Sequence, residues 1–342
     1  MARRPDYPRP GLVVIDKPQG ITSHDAVSRV RRTARTRKAG HAGTLDPMAT
    51  GVLVVGIGKA TKLLTWVSGD TKSYEATIRF GASTRTDDAE GETTSAPGCS
   101  HLDAAALGAA FERLRGDIMQ VPSAVSAIKV GGRRAYARVR AGEEVELEAR
   151  PVRVERLDVV GAPRPGALPA HDGGGGGVPV FDVDVVVECS SGTYIRALAR
   201  DAGTALGCGA HLVRLRRTRV GRFGIGDALT LEQFEAGACG DPERPTVPLI
   251  PLGEAARAMF PVIGLDAREA AAFAHGQAPA GGGSGERGVG AERQGRLGHD
   301  DGESPIAGPL VVVEEPGGGA RVVDAVGPVE GGDLVDLGAQ VV

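Results

Sequence analysis

The chain has 342 residues, 41% apolar, 24% charged and 4% aromatic, with a formal net charge of −3. That length exceeds one average domain and predicts two, and the apolar fraction excludes a disordered chain. No apolar run of about 18 residues is present to span a membrane, and no apolar stretch follows the N-terminal Met-Ala-Arg-Arg, so the sequence predicts a soluble, cytoplasmic protein without a secretory signal.

In chain order, Leu12–Ile15 is a short apolar run that ends at Asp16-Lys17-Pro18-Gln19-Gly20, a strand entering a turn. Thr22-x-x-Asp25 opens an amphipathic stretch with Ala26, Val27, Val30 and Ala34, which predicts a capped helix. Gly40-His41-Ala42-Gly43-Thr44-Leu45-Asp46-Pro47-Met48-Ala49-Thr50-Gly51 has too many glycines, and a proline, to be regular throughout. Val52–Val55 follows as a buried strand. Residues 74–80 alternate, with Tyr74, Ala76, Ile78 and Phe80 on one face. Leu107, Phe111 and Leu114 make a helical stripe closed by Gly116. The basic, then acidic, composition of residues 122–151 suits an exposed hairpin or arm. Residues 161–179, with five consecutive glycines, read as a flexible surface loop. Phe181, Val183, Val185 and Val187 alternate as a strand, and Ser190-Ser191-Gly192-Thr193-Tyr194 turns out of it. Ile195, Leu198, Ala199, Ala202 and Leu206 then follow helical spacing, so Tyr194 and Arg196 sit where a strand gives way to a helix. From residue 258 onward the composition is acidic, with a low-complexity stretch near 281–303 expected to be disordered. Leu310–Val313 and Val322–Val323 are candidate strands of a small β domain.

The small net charge hides an uneven distribution. Residues 1–66 carry twelve Lys/Arg against four acids, and residues 196–222 carry seven Arg against Asp201. Two basic segments suit a polyanion, and arginine suits bidentate phosphate contacts. Solvated faces in an Arg-rich chain would look the same, so charge alone leaves the partner open. Cys99, Cys189, Cys208 and Cys239 form no C-x-x-C pair and no zinc ligand set, and are read as reduced thiols, Cys189 in the core. Gly56-Ile57-Gly58-Lys59-Ala60 fits neither a Walker loop nor a dinucleotide turn. No G-x-S-x-G elbow and no metal-ligand cluster occurs.

Asp46 remains. The residue before a proline is pushed to extended geometry, and a carboxylate on a Gly-flanked loop can approach a ligand closely. Burial would raise its pKa, so to stay ionised it needs a cationic partner, for which Arg196 is the candidate.

Residues 11–23 (Gly-Leu-Val-Val-Ile-Asp-Lys-Pro-Gln-Gly-Ile-Thr-Ser), 40–51, 190–196 (Ser-Ser-Gly-Thr-Tyr-Ile-Arg) and 207–217 (Gly-Cys-Gly-Ala-His-Leu-Val-Arg-Leu-Arg-Arg) resemble, in order and over about 250 residues, the TruB family of bacterial enzymes that isomerise uridine 55 of tRNA to pseudouridine. The resemblance implies an α+β pseudouridine-synthase fold, a mixed and mostly antiparallel sheet with flanking helices and a central cleft. It assigns catalysis to Asp46, with Arg196 bridging to it, and base stacking to Tyr74. Tyr194 would pair with Arg196 in the active site and bind substrate, Leu215 would line the uracil pocket, and His41 would enter the T-loop and help hold the target base out. Lys17 and Lys129 would touch RNA. The catalytic domain would span 1–257, with an RNA-gripping arm at 122–151 and the Gly-rich insertion at 161–179. A PUA-like domain would occupy 258–342. The reaction involves no redox change, so no cofactor or metal is expected; the partner is the T-arm of tRNA, and the protein is expected to act as a monomer without protein partners. Whether Asp46 attacks the sugar or acts as acid/base through a glycal stays open. Alternatives are a guide-RNA-dependent pseudouridine synthase and a non-catalytic tRNA chaperone.

Overall fold

A computed structural model describes residues 7, 9–123, 129–130, 133–134, 147–169, 177–242, 244–260, 262–264, 268, 310–315 and 319–324. Its strands are β1 (Gly11–Lys17), β2 (Ala39–Ala42), β3 (Thr50–Ile57), β4 (Lys72–Phe80), β5 (Ser83–Thr84), β6 (Thr93–Ser95), β7 (Gly116–Gln120), β8 (Lys129–Val130), β9 (Arg133–Arg134), β10 (Arg150–Leu168), β11 (Val178–Cys189), β12 (Ala210–Val220), β13 (Phe223–Gly224), β14 (Ile250–Pro251), β15 (Val262–Gly264), β16 (Leu310–Glu315) and β17 (Gly319–Asp324). The helices are α1 (Ser23–Thr33), α2 (Leu64–Gly69), α3 (Ala104–Glu112), α4 (Ile195–Ala205), α5 (Leu231–Ala236) and α6 (Leu252–Met259).

Ten strands form one sheet in the order β14-β1-β3-β12-β4-β11-β10-β7, with β2 on β3 and β13 on β12. Every pairing in it is antiparallel except β12 with β3. The parallel contact is short, Arg216 opposite Thr50 and Arg217 opposite Gly51. It depends on Gly51, at φ +100°, where a Cβ would lie 2.1 Å from the Arg217 carbonyl oxygen. The parallel pairing that joins β1-β3 to β12-β4 therefore lies at the root of the Asp46 loop.

Both faces of the sheet are covered, because successive side chains of a strand point to opposite sides. Val13 and Ile15 of β1 belong to one core cluster with Ala26, Val27 and Val30 of α1 and Leu198 and Ala202 of α4. Leu12 and Val14 pack on the other face with Leu64 and Val67 of α2 and Ala255 of α6. Thr22 caps α1 in a reciprocal capping box with Asp25, as its Thr-x-x-Asp spacing predicts.

Two expectations change. Residues 161–168 and 178–179 are not loop but the far ends of β10 and β11, paired from Arg164↔Asp182 to Leu168↔Val178. The register shift between Val160 and Arg164 absorbs Gly161 at φ +76°, and Arg164 then pairs with Asp184 across the strands. Glycine and proline content masks a strand pair that cross-strand bonding stabilises; residues 170–176, with four of the five consecutive glycines, lie outside the described residues. The composition boundary at 257/258 falls within α6, whose apolar side is anchored to the main sheet through Ala255 and Ala256. Beyond it, β15, β16 and β17 form a small sheet at both predicted strand positions, and 281–303 lies outside the described residues. Of the 122–151 arm, β8 and β9 form an antiparallel hairpin.

Candidate active site

The Asp46 loop joins β2 to β3 and is tied from below. Ser23 Oγ, at the start of α1, donates to the Leu45 carbonyl at 3.0 Å and accepts from its N–H at 2.8 Å. Lys17 Nζ donates to the carbonyls of Pro18 at 2.9 Å and Ile21 at 2.8 Å, with Pro47 at 3.5 Å. The Gly20 N–H donates to the Pro47 carbonyl at 2.8 Å. Lys17 is fully buried, and burial pushes its pKa down to about 8. Expected to touch RNA, it instead holds the loop, because its neighbours supply carbonyl oxygens that outcompete solvent for the ammonium.

Asp46 Oδ2 lies 3.1 Å from Arg196 Nε, and Arg196 Nη1 lies 3.3 Å from Asp88 Oδ2. Arg196 also donates to the Thr86 carbonyl at 2.8 Å. The Arg196 and Asp88 side chains are 6% and 4% exposed, whereas that of Asp46 is 38% exposed. The carboxylate is thus open on one side and walled by protein on the others. That enclosure raises its pKa above the ordinary carboxylate value; Arg196 works against the rise and Asp88 adds to it. Asp88 is fixed by Thr86 Oγ1 and by the Glu90 N–H, the latter at 3.1 Å.

A cleft of about 270 Å³ opens over this pair and is lined by Asp46, Tyr74, Tyr194, Arg196 and Leu215 together with Lys72 and Arg217. Tyr74 is 7% exposed, and burial raises its phenol to about 12, so it is neutral at physiological pH. Arg217, buried, donates to the carbonyls of Val52 at 2.8 Å, Gly43 at 3.0 Å and Thr44 at 3.4 Å. Lys72 Nζ donates to the Ser68 and Asp70 carbonyls at 2.9 and 2.7 Å; burial and Arg217 bring its pKa down to about 8. An aromatic face, an ionisable carboxylate and a cationic floor meet in one cleft. Such a site can seat a flat heterocycle carried on an anionic backbone and present an acid to its sugar.

A family model described as the N-terminal domain of the TruB family pseudouridylate synthases matches residues 31–195, and one described as the tRNA pseudouridylate synthase B C-terminal domain matches residues 196–246. The chain is 56% identical over 275 residues to a tRNA pseudouridine synthase B of Mycobacteroides abscessus, a match covering 80% of this chain and 86% of that protein. It is 55% identical over 267 residues to one from an Arthrobacter species, covering 78% of this chain and 81% of the relative. The chain belongs to the TruB family of pseudouridylate synthases. Its fold is the α+β pseudouridine-synthase fold: it aligns with a crystal structure of a Cbf5-Nop10-Gar1 complex at TM-score 0.61 and 24% identity, over 95% of this chain and 84% of that one. The corresponding values for an H/ACA RNP bound to a substrate RNA containing 2′-deoxyuridine are 0.60 and 22%, over 97% and 82%.

The TruB-family cleft brings together Asp46, Tyr74, Tyr194, Arg196 and Leu215, five residues read from motifs far apart in the chain. His41 does not join them. It lies half-buried on β2, and burial and Arg217 lower its pKa. Lys129 lies on β8, where only the backbone is described. Among the described residues no cluster of ligands could hold a metal, and no helix is long and apolar enough to cross a membrane. Lys72 and Arg217 in the cleft lining, and Asp88 against Arg196, are not among the residues that the sequence singles out. Several basic residues expected to face a polyanion are paired internally, among them Arg29 with Glu232 and Glu235, and Arg216 with Asp16 at 2.7 Å.

Proposed function

We propose that this chain converts uridine 55 in the T-loop of tRNA to pseudouridine, drawing the base out of the loop and using Asp46 as the essential carboxylate. The observation that carries the reading is the contact of Asp46 with Arg196, at 3.1 Å, inside a cleft that also holds Tyr74 and Tyr194. The names borne by relatives more than half identical to this chain support tRNA as substrate. In the reaction the C1′–N1 bond breaks, the base turns, C1′ bonds to C5, the C5 proton leaves to solvent and N1 takes up a proton. Atoms and electrons balance without an external oxidant. Extrusion of the base costs a few kcal/mol, and stacking on Tyr74 returns roughly 1–3 kcal/mol. Direct attack at C1′ and the glycal route both need Asp46 ionised, which Arg196 favours. His41, neutral by burial, is assigned to the T-loop side of the flipped base, and Lys129 to the gripping arm. The catalytic unit is assigned to the chain through the end of α6 at Met259, acting as a monomer.

The test is incubation of the pure full-length protein with unmodified tRNA transcript and site-resolved mapping of pseudouridine. Modification at position 55 without any guide RNA or protein supports the reading. Turnover only with a guide would move the protein to the guide-dependent class. Asp46→Asn is expected to abolish tritium release from [5-³H]uridine tRNA while tRNA binding persists; near-normal turnover would refute the assignment. A tRNA-folding role would survive in that variant.

A further inference from the structure

Gln120 ends β7 and does not line the cleft, yet it touches the element that builds it. Its Oε1 accepts from the Tyr194 N–H at 2.8 Å, and its Nε2 donates to the Tyr194 carbonyl at 3.1 Å. The side chain is almost fully buried, so water does not compete for either bond. Tyr194 is the N-cap of α4, with φ −100° and ψ 108° and no side-chain cap. A helix start leaves backbone donors without partners, and its direction is fixed by whatever binds the residues at the entry. Here a primary amide stands in for a strand partner and locks both polar atoms of one peptide-flanked residue. Two residues on, Arg196 must meet both Asp46 and Asp88. The tie is repeated one turn further, where Arg200 Nη2 donates to the carbonyl of Val121, next to Gln120, at 2.7 Å.

We propose that Gln120 is a positioning residue for the active site: its amide clamps the Tyr194 backbone and so sets the angle at which α4 delivers Tyr194 and Arg196 to the cleft. The proposal deepens the functional reading above and rests on it. Gln120→Met keeps the length and apolar packing of the side chain and removes both hydrogen bonds. Gln120→Glu keeps the acceptor but regains the donor only when its carboxyl is protonated, a form isosteric with the amide.

The test uses full-length protein and unmodified tRNA transcript under single-turnover conditions. Gln120→Met is expected to lower the rate by about 30-fold while the tRNA Kd changes less than about threefold, since geometry at the reacting centre and not substrate grip is disturbed. For Gln120→Glu, the rate relative to the unaltered protein is expected to rise by about tenfold as the pH falls from about 8.5 to about 5.5, because burial raises a carboxyl pKa into that range. A Gln120→Met rate within twofold of the unaltered protein, a loss confined to Kd, or a pH-independent Gln120→Glu ratio overturns the proposal. Should Gln120→Met fail to fold, the Gln120→Glu profile decides alone. If the unaltered protein makes no pseudouridine, the functional reading itself falls, an outcome distinct from active protein with an indifferent Gln120.

Discussion

The two walls of the cleft handle buried cations in opposite ways. On the Asp46 side, Arg196 lies between two carboxylates, so its charge is neutralised and its effect is to tune an acid. On the Tyr74 side, Arg217 and Lys72 are held by carbonyl oxygens, and their positive charge stays uncancelled by these partners. Burial lowers the pKa of both Lys72 and His41, and Arg217 lowers both further, whereas burial raises that of Asp46 and Arg196 restrains the rise. One wall conditions the chemistry, and the other makes a floor suited to a polyanion.

Breaking the tuned wall has the largest expected effect. Arg196→Met leaves Asp46 and Asp88 facing each other without a cation, which raises the Asp46 pKa further. Turnover at neutral pH should fall by roughly 1,000-fold, and the acid limb of the rate profile should move to higher pH. A limb that stays where it is would dissociate Arg196 from the ionisation of Asp46. Next comes the carbonyl-held wall. Arg217→Leu strands the carbonyls of Gly43, Thr44 and Val52 and is expected to cost about 3 kcal/mol in urea unfolding, with tRNA affinity weakened as well. A loss under about 1 kcal/mol would show that these carbonyls find water instead.

The pH dependence follows from the sign of the Asp46 shift. A carboxyl whose pKa is higher in the folded state favours folding when protonated, and that contribution is lost as pH rises through its folded value. Activity runs the other way, rising as Asp46 ionises. Asp46→Asn should therefore leave the Tm at neutral pH unchanged or raised, measured by calorimetry, while removing turnover. A marked drop in Tm would mean that the Arg196 contact outweighs burial. The smallest effect is expected far from both walls. Arg29 pairs with Glu232 and Glu235 on the surface, and Arg29→Met should cost less than about 1 kcal/mol.

How much of this was readable beforehand differs by residue. Asp46, Tyr194 and Arg196 are legible as site residues through the motifs at 40–51 and 190–196 that resemble the TruB family, while locally Asp46-Pro47 reads as a turn and Tyr194 and Arg196 only as a strand-to-helix junction. Lys17, which the resemblance assigns to RNA contact, closes β1 with its ammonium on the carbonyls of Pro18 and Ile21, an enclosure that nothing local announces. The 161–168 strand was read as loop because glycine and proline dominate its composition, while the register with β11 that stabilises it is non-local. Asp88 sits in a Thr-rich turn with no periodicity and became visible only through Arg196.

By itself the chain order determined the capped α1, the alternating strands at 74–80 and 181–187, the Asp-Pro loop and the family motifs, because each depends on residues within a few positions of one another. Only the tertiary structure decided which charges meet. Arg196 and Arg217 are both buried arginines of one basic segment, yet one faces carboxylates and the other faces carbonyls. The difference comes from which loop lies opposite each, the turn carrying Asp88 for Arg196 and the backbone around Gly51 for Arg217. Electrostatic pairing acts through space over a few ångströms, and sheet pairing, not sequence spacing, sets those distances.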